Sequence, residues 1–344
     1  MTRSRPIILG IVGDSAAGKT TLTAGLVNIL GPDRVTHVCT DDYHKYDRQE
    51  RAKLGITALH PDCNYVDVLE LHLERLYYGE PILKPFYDHA TGSLVRPEYV
   101  KPREFVIVEG LLGFSTPVLR QFYDVKVFLD PPEELRRQWK VKRDTTKRGY
   151  TTEQVLDELD KREPDSRDFI RPQRQYADVV ARFHPPEGTT EPPPDLDVQL
   201  VLRPTIPHPD LSYLFADGRD VSREAIRLEL GRDDGRPADF LCIDGRVSAA
   251  HAHELEDAIW HHMPDLRPLR EDQFGEYFDR SAVRHSSQLA LTQLLLSYHL
   301  LRRYRDVGQL PLAAPVSLLR RIESSARPLT WGTTAERAVS ASSH

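Results

Sequence analysis

Only three cysteines occur in 344 residues, Cys39, Cys63 and Cys242. They are widely spaced and odd in number, which excludes a disulfide framework and a paired-cysteine zinc cluster. No apolar run reaches membrane-spanning length, and the short apolar stretch near the start is wrongly flanked for a secretory signal. A basic excess is also missing. Against 46 Lys and Arg stand 52 Asp and Glu, a formal net charge of −6, which argues against nucleic acid as the main partner. No internal repeat is apparent. What remains is the expectation of a soluble, cytoplasmic chain with no membrane partner, long enough for one large domain with additions or for two.

What is present is concentrated in one stretch, Gly13-Asp14-Ser15-Ala16-Ala17-Gly18-Lys19-Thr20. It fits G-x-x-x-x-G-K-[ST], the phosphate-cradling loop. An apolar run bounded by Pro6 and Gly13 precedes it and reads as a buried strand; Thr21 to Leu30 follows with helical spacing and stops at Gly31-Pro32. Glycines let backbone N–H groups converge on phosphate oxygens, and the helix N-terminus adds partial positive charge. Lys19 is expected to reach the β- and γ-phosphates and Thr20 to hold Mg²⁺. The chain is therefore expected to bind a nucleoside triphosphate.

The next strand candidate, Val35 to Thr40, runs into Asp41-Asp42-Tyr43-His44. Acids at a strand's carboxyl end lie where open α/β sheets place their ligands. There a carboxylate can take a proton from an acceptor hydroxyl or hold Mg²⁺, although a capping or turn role remains open. Val66 to Tyr78 has helical apolar spacing, and Lys84 to Gly92 reads as a short extended piece and a turn. Phe105-Val106-Ile107-Val108-Glu109-Gly110 is a buried strand ending in an acid, the Walker-B arrangement, and Tyr123 to Asp130 is a further strand. Glu133 to Lys147 is a cation-rich helix. Its charges suit either a solvated face or a lid over phosphates, with Arg143 and Arg148 as the lid candidates. Thr151 to Gln154 looks like a capping start for another helix. The fold class expected is α/β: a mostly parallel, mixed P-loop NTPase-type sheet flanked by helices, with a C-terminal strand and helix extension.

Residues 7 to about 185 resemble the phosphoribulokinase/uridine kinase family of P-loop kinases, and within it the plant and cyanobacterial branch. The P-loop, Asp41-Asp42-Tyr43-His44, Gly55-Ile56-Thr57-Ala58-Leu59, Lys84 to Gly92, Val108-Glu109-Gly110-Leu111, Trp139 to Asp144 with Lys147-Arg148-Gly149, and Arg171-Pro172-Gln173 carry the resemblance in one order. It implies phosphorylation of D-ribulose 5-phosphate by ATP with Mg²⁺. Carried over residue by residue, Asp41 is the base, Glu109 the Walker-B acid near Mg²⁺, and Lys19 and Thr20 the P-loop pair. Asp42 supports the base or binds metal. His44 and Arg48 hold the sugar phosphate, Tyr87 and His89 belong to the acceptor side, and Arg143 to the lid. Uridine kinases have Tyr-Asp-Phe-x-x-His where this chain has Tyr87-Asp88-His89-Ala90-Thr91-Gly92, a change toward a polar pocket. Arg48, Arg51 and Lys53 point the same way, because a sugar phosphate brings a dianion. Nucleoside phosphorylation and a nucleotide-switched regulator without an acceptor are the rival readings.

Plant members carry a regulatory cysteine in the P-loop where Ala17 stands here, with its partner retained as Cys39, so disulfide switching at this site is expected to be absent. Residues 1–185 are taken as the kinase core, with a lid at about 133–150, and 186–344 as an extension. In the extension Leu196 to Arg203, Ala225 to Leu230 and Asp239 to Ile243 read as strands, with Asp244-Gly245 as a hairpin turn. Helices are expected at His251 to His262 and Gln288 to Tyr304. The second has a broad apolar face suited to core or to a subunit contact, and a homodimer or higher homo-oligomer is expected. The histidines at 251, 253, 261 and 262 read as surface residues, and the tail from Thr333 as fraying.

Overall fold

Strand β1 (Ile7–Gly13) is buried at every position. Its alternate residues divide between two cores: Ile7, Leu9 and Ile11 face one, Ile8 and Val12 the other. A strand apolar on both faces belongs in the middle of a parallel sheet covered on both sides. In the computed structural model, which describes residues 5–186, 188, 196–211, 226–245, 247, 250, 274–279 and 282–308, β1 pairs in parallel with β5 (Phe105–Gly110) and β6 (Val125–Leu129). Outside these lie β2 (Val35–Cys39), parallel to β5, and β7 (Val179–His184), parallel to β6. Strands β8 (Asp197–Leu202), β10 (Arg236–Ile243) and β9 (Ile226–Asp233) then continue antiparallel. The result is one eight-stranded mixed sheet, ordered β2-β5-β1-β6-β7-β8-β10-β9.

Helix α1 (Lys19–Leu30) buries Leu22, Leu26 and Ile29 on one face. The helices α2 (Arg48–Leu54), α3 (Val66–Tyr77), the single turn α4 (Pro117–Arg120), α5 (Glu133–Lys147) and α6 (Thr152–Asp165) follow in order. Of these, α3 puts Leu69, Leu73 and Leu76 against the opposite core with Phe114 and Tyr123. Helix α7 (Ser287–Gly308) lies on the α1 side, with Leu291, Leu294, Leu295 and Leu300 in the core. Its broad apolar face is thus spent inside the chain. Helix α6 begins with the expected capping box between Thr151 and Gln154, and α2 with one between Asp47 and Glu50. Among the described residues no helix is long and apolar enough to cross a membrane.

Three local readings are corrected. The piece at Lys84 is strand β3 (Ile82–Asp88), and it forms a hairpin with β4 (Ser93–Val100), which the sequence did not betray. Pro97 and the exposure of most of β4 hid it, since proline is confined to edges and bulges. Strand β7 also went unread, on the near side of the proline-rich boundary. Finally, Asp244-Gly245 does not join two strands; the β9–β10 turn is Asp234-Gly235, where φ is +50° and +76°. Both values are positive, as a type I′ turn requires. The small hairpin of β11 (Glu276–Asp279) and β12 (Ala282–His285) completes the described extension. The helix expected at His251 to His262, its histidines and the tail from Thr333 lie outside the described residues.

Candidate active site

The strand ends of β1, β2 and β5 converge on one cleft. It is lined by the loop from Ser15 to Thr20, by Cys39, Asp41 and Glu109, by Arg48 and His89, and by Arg143 and Arg148 of the α5 end. These residues come from separate stretches of the sequence, and the sheet brings them together.

The phosphate loop is held from both sides. Gly18, at φ +97°, ends the loop and opens α1. Lys19 Nζ donates to the carbonyls of Gly13 at 2.9 Å and Asp14 at 2.8 Å. Burial lowers this ammonium, and the facing carboxylates of Asp41, Glu109 and Asp14 oppose that effect. Asp14 does not offer its own carboxylate to a ligand. It accepts from Ser15 N at 2.6 Å and from Ser166 Oγ, and Arg136 Nη1 stands 3.5 Å away. Arg136 also donates to Ser15 O at 3.0 Å. Ser166 gave no signal in the sequence, and Arg136 was one cation among many in α5.

Glu109, at the tip of β5, is buried beside Thr20. Its Oε1 lies 3.4 Å from Thr20 Oγ1 and its Oε2 3.4 Å from Thr23 Oγ1. The Nε2 of His37, in β2, donates to Glu109 at 3.1 Å; a histidine two residues before Cys39 was not picked out from the sequence. Gln173 secures the loop that follows Glu109, donating to Leu111 O at 2.7 Å and accepting from Phe114 N at 2.8 Å. That gives the Arg171-Pro172-Gln173 piece a structural task.

Asp41 sits in a 3₁₀ turn, Thr40–Tyr43, directly after β2. Burial alone would raise its carboxyl, but His44, Lys19, His89 and Arg162 together hold it below the ordinary carboxylate value. Asp42, next to it, is occupied elsewhere. Its Oδ2 takes the ammonium of Lys84, its Oδ1 accepts from Tyr87 N at 3.0 Å, and both acid and lysine are buried. The expected metal role for Asp42 is therefore replaced by a tie between the turn and the β3–β4 hairpin.

On the acceptor side the rings of His44, Tyr87 and His89 form a ladder, at 4.9 Å and 5.1 Å between centroids, both edge to face. Tyr87 is buried, and its hydroxyl accepts from Arg51 at 2.7 Å; it carries the ladder. His44 is fixed through Asn64. The amide of Asn64 donates to Ala58 O and His60 O, so its oxygen accepts from His44 Nδ1 at 2.7 Å. Burial holds this imidazole below its usual value, which leaves Nε2 of the neutral ring an acceptor. Arg48 donates to His89 O at 2.7 Å and crosses Gly92, where φ is +77° and an added Cβ would fall 2.8 Å from the guanidinium carbon.

In α5, Asp144 gathers the cations. Arg143 Nε donates to it at 2.8 Å, Lys140 Nζ also donates, and Arg148 lies 3.6 Å away. Burial works against the Asp144 charge, yet Arg143 and Lys140 hold its carboxyl at about 2. Burial next to Arg162 and Arg143 pushes Lys140 down to about 8.

Comparison with known proteins follows the same lines. The model of the Phosphoribulokinase / Uridine kinase family matches residues 8–189. The chain is 35% identical over 270 residues to the phosphoribulokinase of Synechocystis sp., covering 74% of this chain and 80% of that one. It is 37% identical over 181 residues to a uridine kinase of Chloroflexus aurantiacus, covering 51% of this chain and 86% of the relative. The solved phosphoribulokinase from Rhodobacter spheroides superposes with a TM-score of 0.52 over 76% of this chain and 98% of that chain. At 19% identity that last likeness speaks for the fold.

Proposed function

The chain belongs to the phosphoribulokinase/uridine kinase family, and from that membership we propose that it transfers the γ-phosphoryl group of ATP to the 1-hydroxyl of D-ribulose 5-phosphate. The products are ribulose 1,5-bisphosphate and ADP. One observation carries the choice of acceptor: Arg48, Arg51, His44 and His89 line the cleft around Asp41, where a nucleoside would want an apolar stacking wall. The likeness to the Synechocystis enzyme also runs over 270 residues, beyond the 181 shared with the uridine kinase, which favours the sugar phosphate.

Backbone N–H groups from Gly13 to Thr20 and the start of α1 cradle the phosphates, with Lys19 against the β- and γ-oxygens. The Thr20 hydroxyl and the Glu109 carboxylate, 3.4 Å apart, are hard oxygen donors of the kind Mg²⁺ takes. When bound, the ion supplies charge neutralisation on the β- and γ-oxygens. His37 orients Glu109. Asp41, ionised at neutral pH, accepts the proton of the attacking hydroxyl. Arg48 pairs with the sugar phosphate. His44, neutral and with a free acceptor, suits a sugar hydroxyl better than the phosphate first assigned to it. Arg143 and Arg148, gathered on Asp144, close over the transferring group.

Incubation with Mg-ATP and D-ribulose 5-phosphate, followed by ³¹P NMR, tests this reading. A second phosphomonoester resonance on the sugar with stoichiometric ADP supports it. ATP consumed without a new sugar phosphate overturns it.

A further inference from the structure

Beside the all-oxygen pair of Thr20 and Glu109 lies a second donor set of different chemistry. Cys39 ends β2, Asp41 follows it in the 3₁₀ turn, and His89 comes from the end of the β3–β4 hairpin. One ligand atom from each, the Cys39 sulfur, an Asp41 carboxylate oxygen and a His89 ring nitrogen, all lie within 4.8 Å of one another. His89 Nε2 stands 3.9 Å from Asp41 Oδ2, and all three side chains line the open cleft. From this juxtaposition we propose that Cys39, Asp41 and His89 form a Zn²⁺ site, and that Zn²⁺ bound there inhibits the enzyme by occupying its base.

The donor chemistry decides the metal. A thiolate, an imidazole and a carboxylate suit borderline and soft divalent ions, whereas Mg²⁺ selects oxygen donors in octahedral array. Two cation sites in one cleft therefore sort their ions by ligand type. Zn²⁺ with three protein ligands keeps a fourth position open to water or substrate. In a tetrahedral shell with Zn–S of about 2.3 Å and Zn–N and Zn–O of about 2.0–2.1 Å, ligand atoms stand about 3.3–3.6 Å apart. The three side chains need to close by about an ångström, and His89, on an exposed hairpin tip, can supply most of it. Without a cation, burial and the neighbouring Asp41, Glu109 and Asp42 keep Cys39 a neutral thiol. Binding exchanges the S–H bond for a Zn–S bond and releases the proton to solvent. The lone pair of Asp41 that takes the acceptor proton is then committed to the metal. The inhibitory consequence rests on the kinase reading; the metal site does not.

Two measurements separate these. The full chain titrated with Co²⁺, in the absence of nucleotide, reports the site directly. A thiolate-to-cobalt charge-transfer band is expected in the wild type and not in Cys39→Ser. His89→Asn is expected to keep the band but to need at least about tenfold more Co²⁺, since weaker support alone costs 10–100-fold in affinity. With Zn²⁺ buffered against Mg-ATP, wild-type turnover is expected to fall at a free Zn²⁺ concentration at least about tenfold below that for Cys39→Ser. The turnover of each protein is referred to its own value without Zn²⁺. No band in the wild type, or a band that survives Cys39→Ser, overturns the site. Equal Zn²⁺ sensitivity of the two proteins places inhibition at the Thr20–Glu109 pair instead and overturns the proposed mode. A Cys39-dependent band in a chain that phosphorylates no sugar would leave the metal site standing and the kinase reading fallen.

Discussion

Lys84 buries its ammonium against the carboxylate of Asp42, the acid next in sequence to Asp41. This one ion pair ties the turn that carries Asp41 to the hairpin that carries Tyr87 and His89. A buried pair contributes little net stability, but losing one partner leaves the other charge uncompensated. Lys84→Met is therefore expected to cost about 3–5 kcal/mol in urea unfolding. The double variant Asp42→Asn/Lys84→Met, which removes both charges and keeps the oxygen that accepts from Tyr87 N, should recover much of that loss. A single-variant cost below about 1 kcal/mol, the range of exposed pairs, would contradict the tie.

The base and its neighbour separate in kinetics. Asp41→Asn removes the proton acceptor while keeping the shape, so kcat should fall about 10²-fold or more with the KM for ATP within a few-fold. Its unfolding midpoint should stay close to the wild type, unlike that of Lys84→Met. Near-normal turnover in stopped ADP-release assays would remove Asp41 from its role.

Gly92 makes room for Arg48. With φ at +77° and the guanidinium carbon 2.8 Å from any added Cβ, Gly92→Ala strains the turn and displaces Arg48. Hydrogen bonds to charged groups contribute about 1.5–3 kcal/mol. Both Gly92→Ala and Arg48→Ala should therefore raise the KM for the sugar phosphate about tenfold or more, with ATP affinity nearly unchanged. A defect confined to ATP binding would mean that Arg48 faces the other substrate.

A pair of histidines sets an acid limit on the extension. His208 Nε2 lies 2.7 Å from Arg203 O, so it donates there; its Nδ1 then accepts from His299 Nε2 at 3.3 Å. Burial, with His208 and Arg302 nearby, pushes His299 down to about 3. The native state resists a proton that the unfolded chain takes near the ordinary histidine value of about 6.5, so the unfolded form binds more protons between these values. Above about pH 6.5 the pair has no pH-linked effect. As pH falls toward 3, stability is lost, by on the order of 2 kcal/mol at pH 5 from His299 alone. Urea unfolding from pH 7 to 4.5 should show this slope, and His299→Gln should flatten it. An unchanged slope in that variant would assign the acid sensitivity to other groups.

The sequence made the central sheet and the chemistry at its strand ends legible for a physical reason. Doubly buried strands such as Ile7–Gly13 and Phe105–Gly110 must be continuous apolar runs, and phosphate binding forces glycines, Lys19 and Thr20 into fixed spacing. What stayed hidden depends on contacts distant in sequence. Ser166 reaches Asp14 across 152 positions, Lys84 reaches Asp42 across 42, and His37 meets Glu109 across 72. No local pattern marks such partners. Asp234-Gly235 and Asp244-Gly245 are the same dipeptide, and only the pairing of β9 with β10 tells which of them closes the hairpin. In β4, Pro97 and a nearly continuous exposed face gave no apolar alternation to read.

The central claim is that the cleft around Asp41 is built for a phosphorylated pentose. It is tested most directly by kcat/KM in a coupled ADP-release assay, comparing D-ribulose 5-phosphate with ribulose and with uridine under Mg-ATP. A site whose buried groups are set for one substrate rejects analogues lacking the matching group by on the order of 10⁴-fold. Preference of that order for ribulose 5-phosphate is the predicted result. Equal or better use of uridine would contradict it and leave the P-loop core serving a nucleoside.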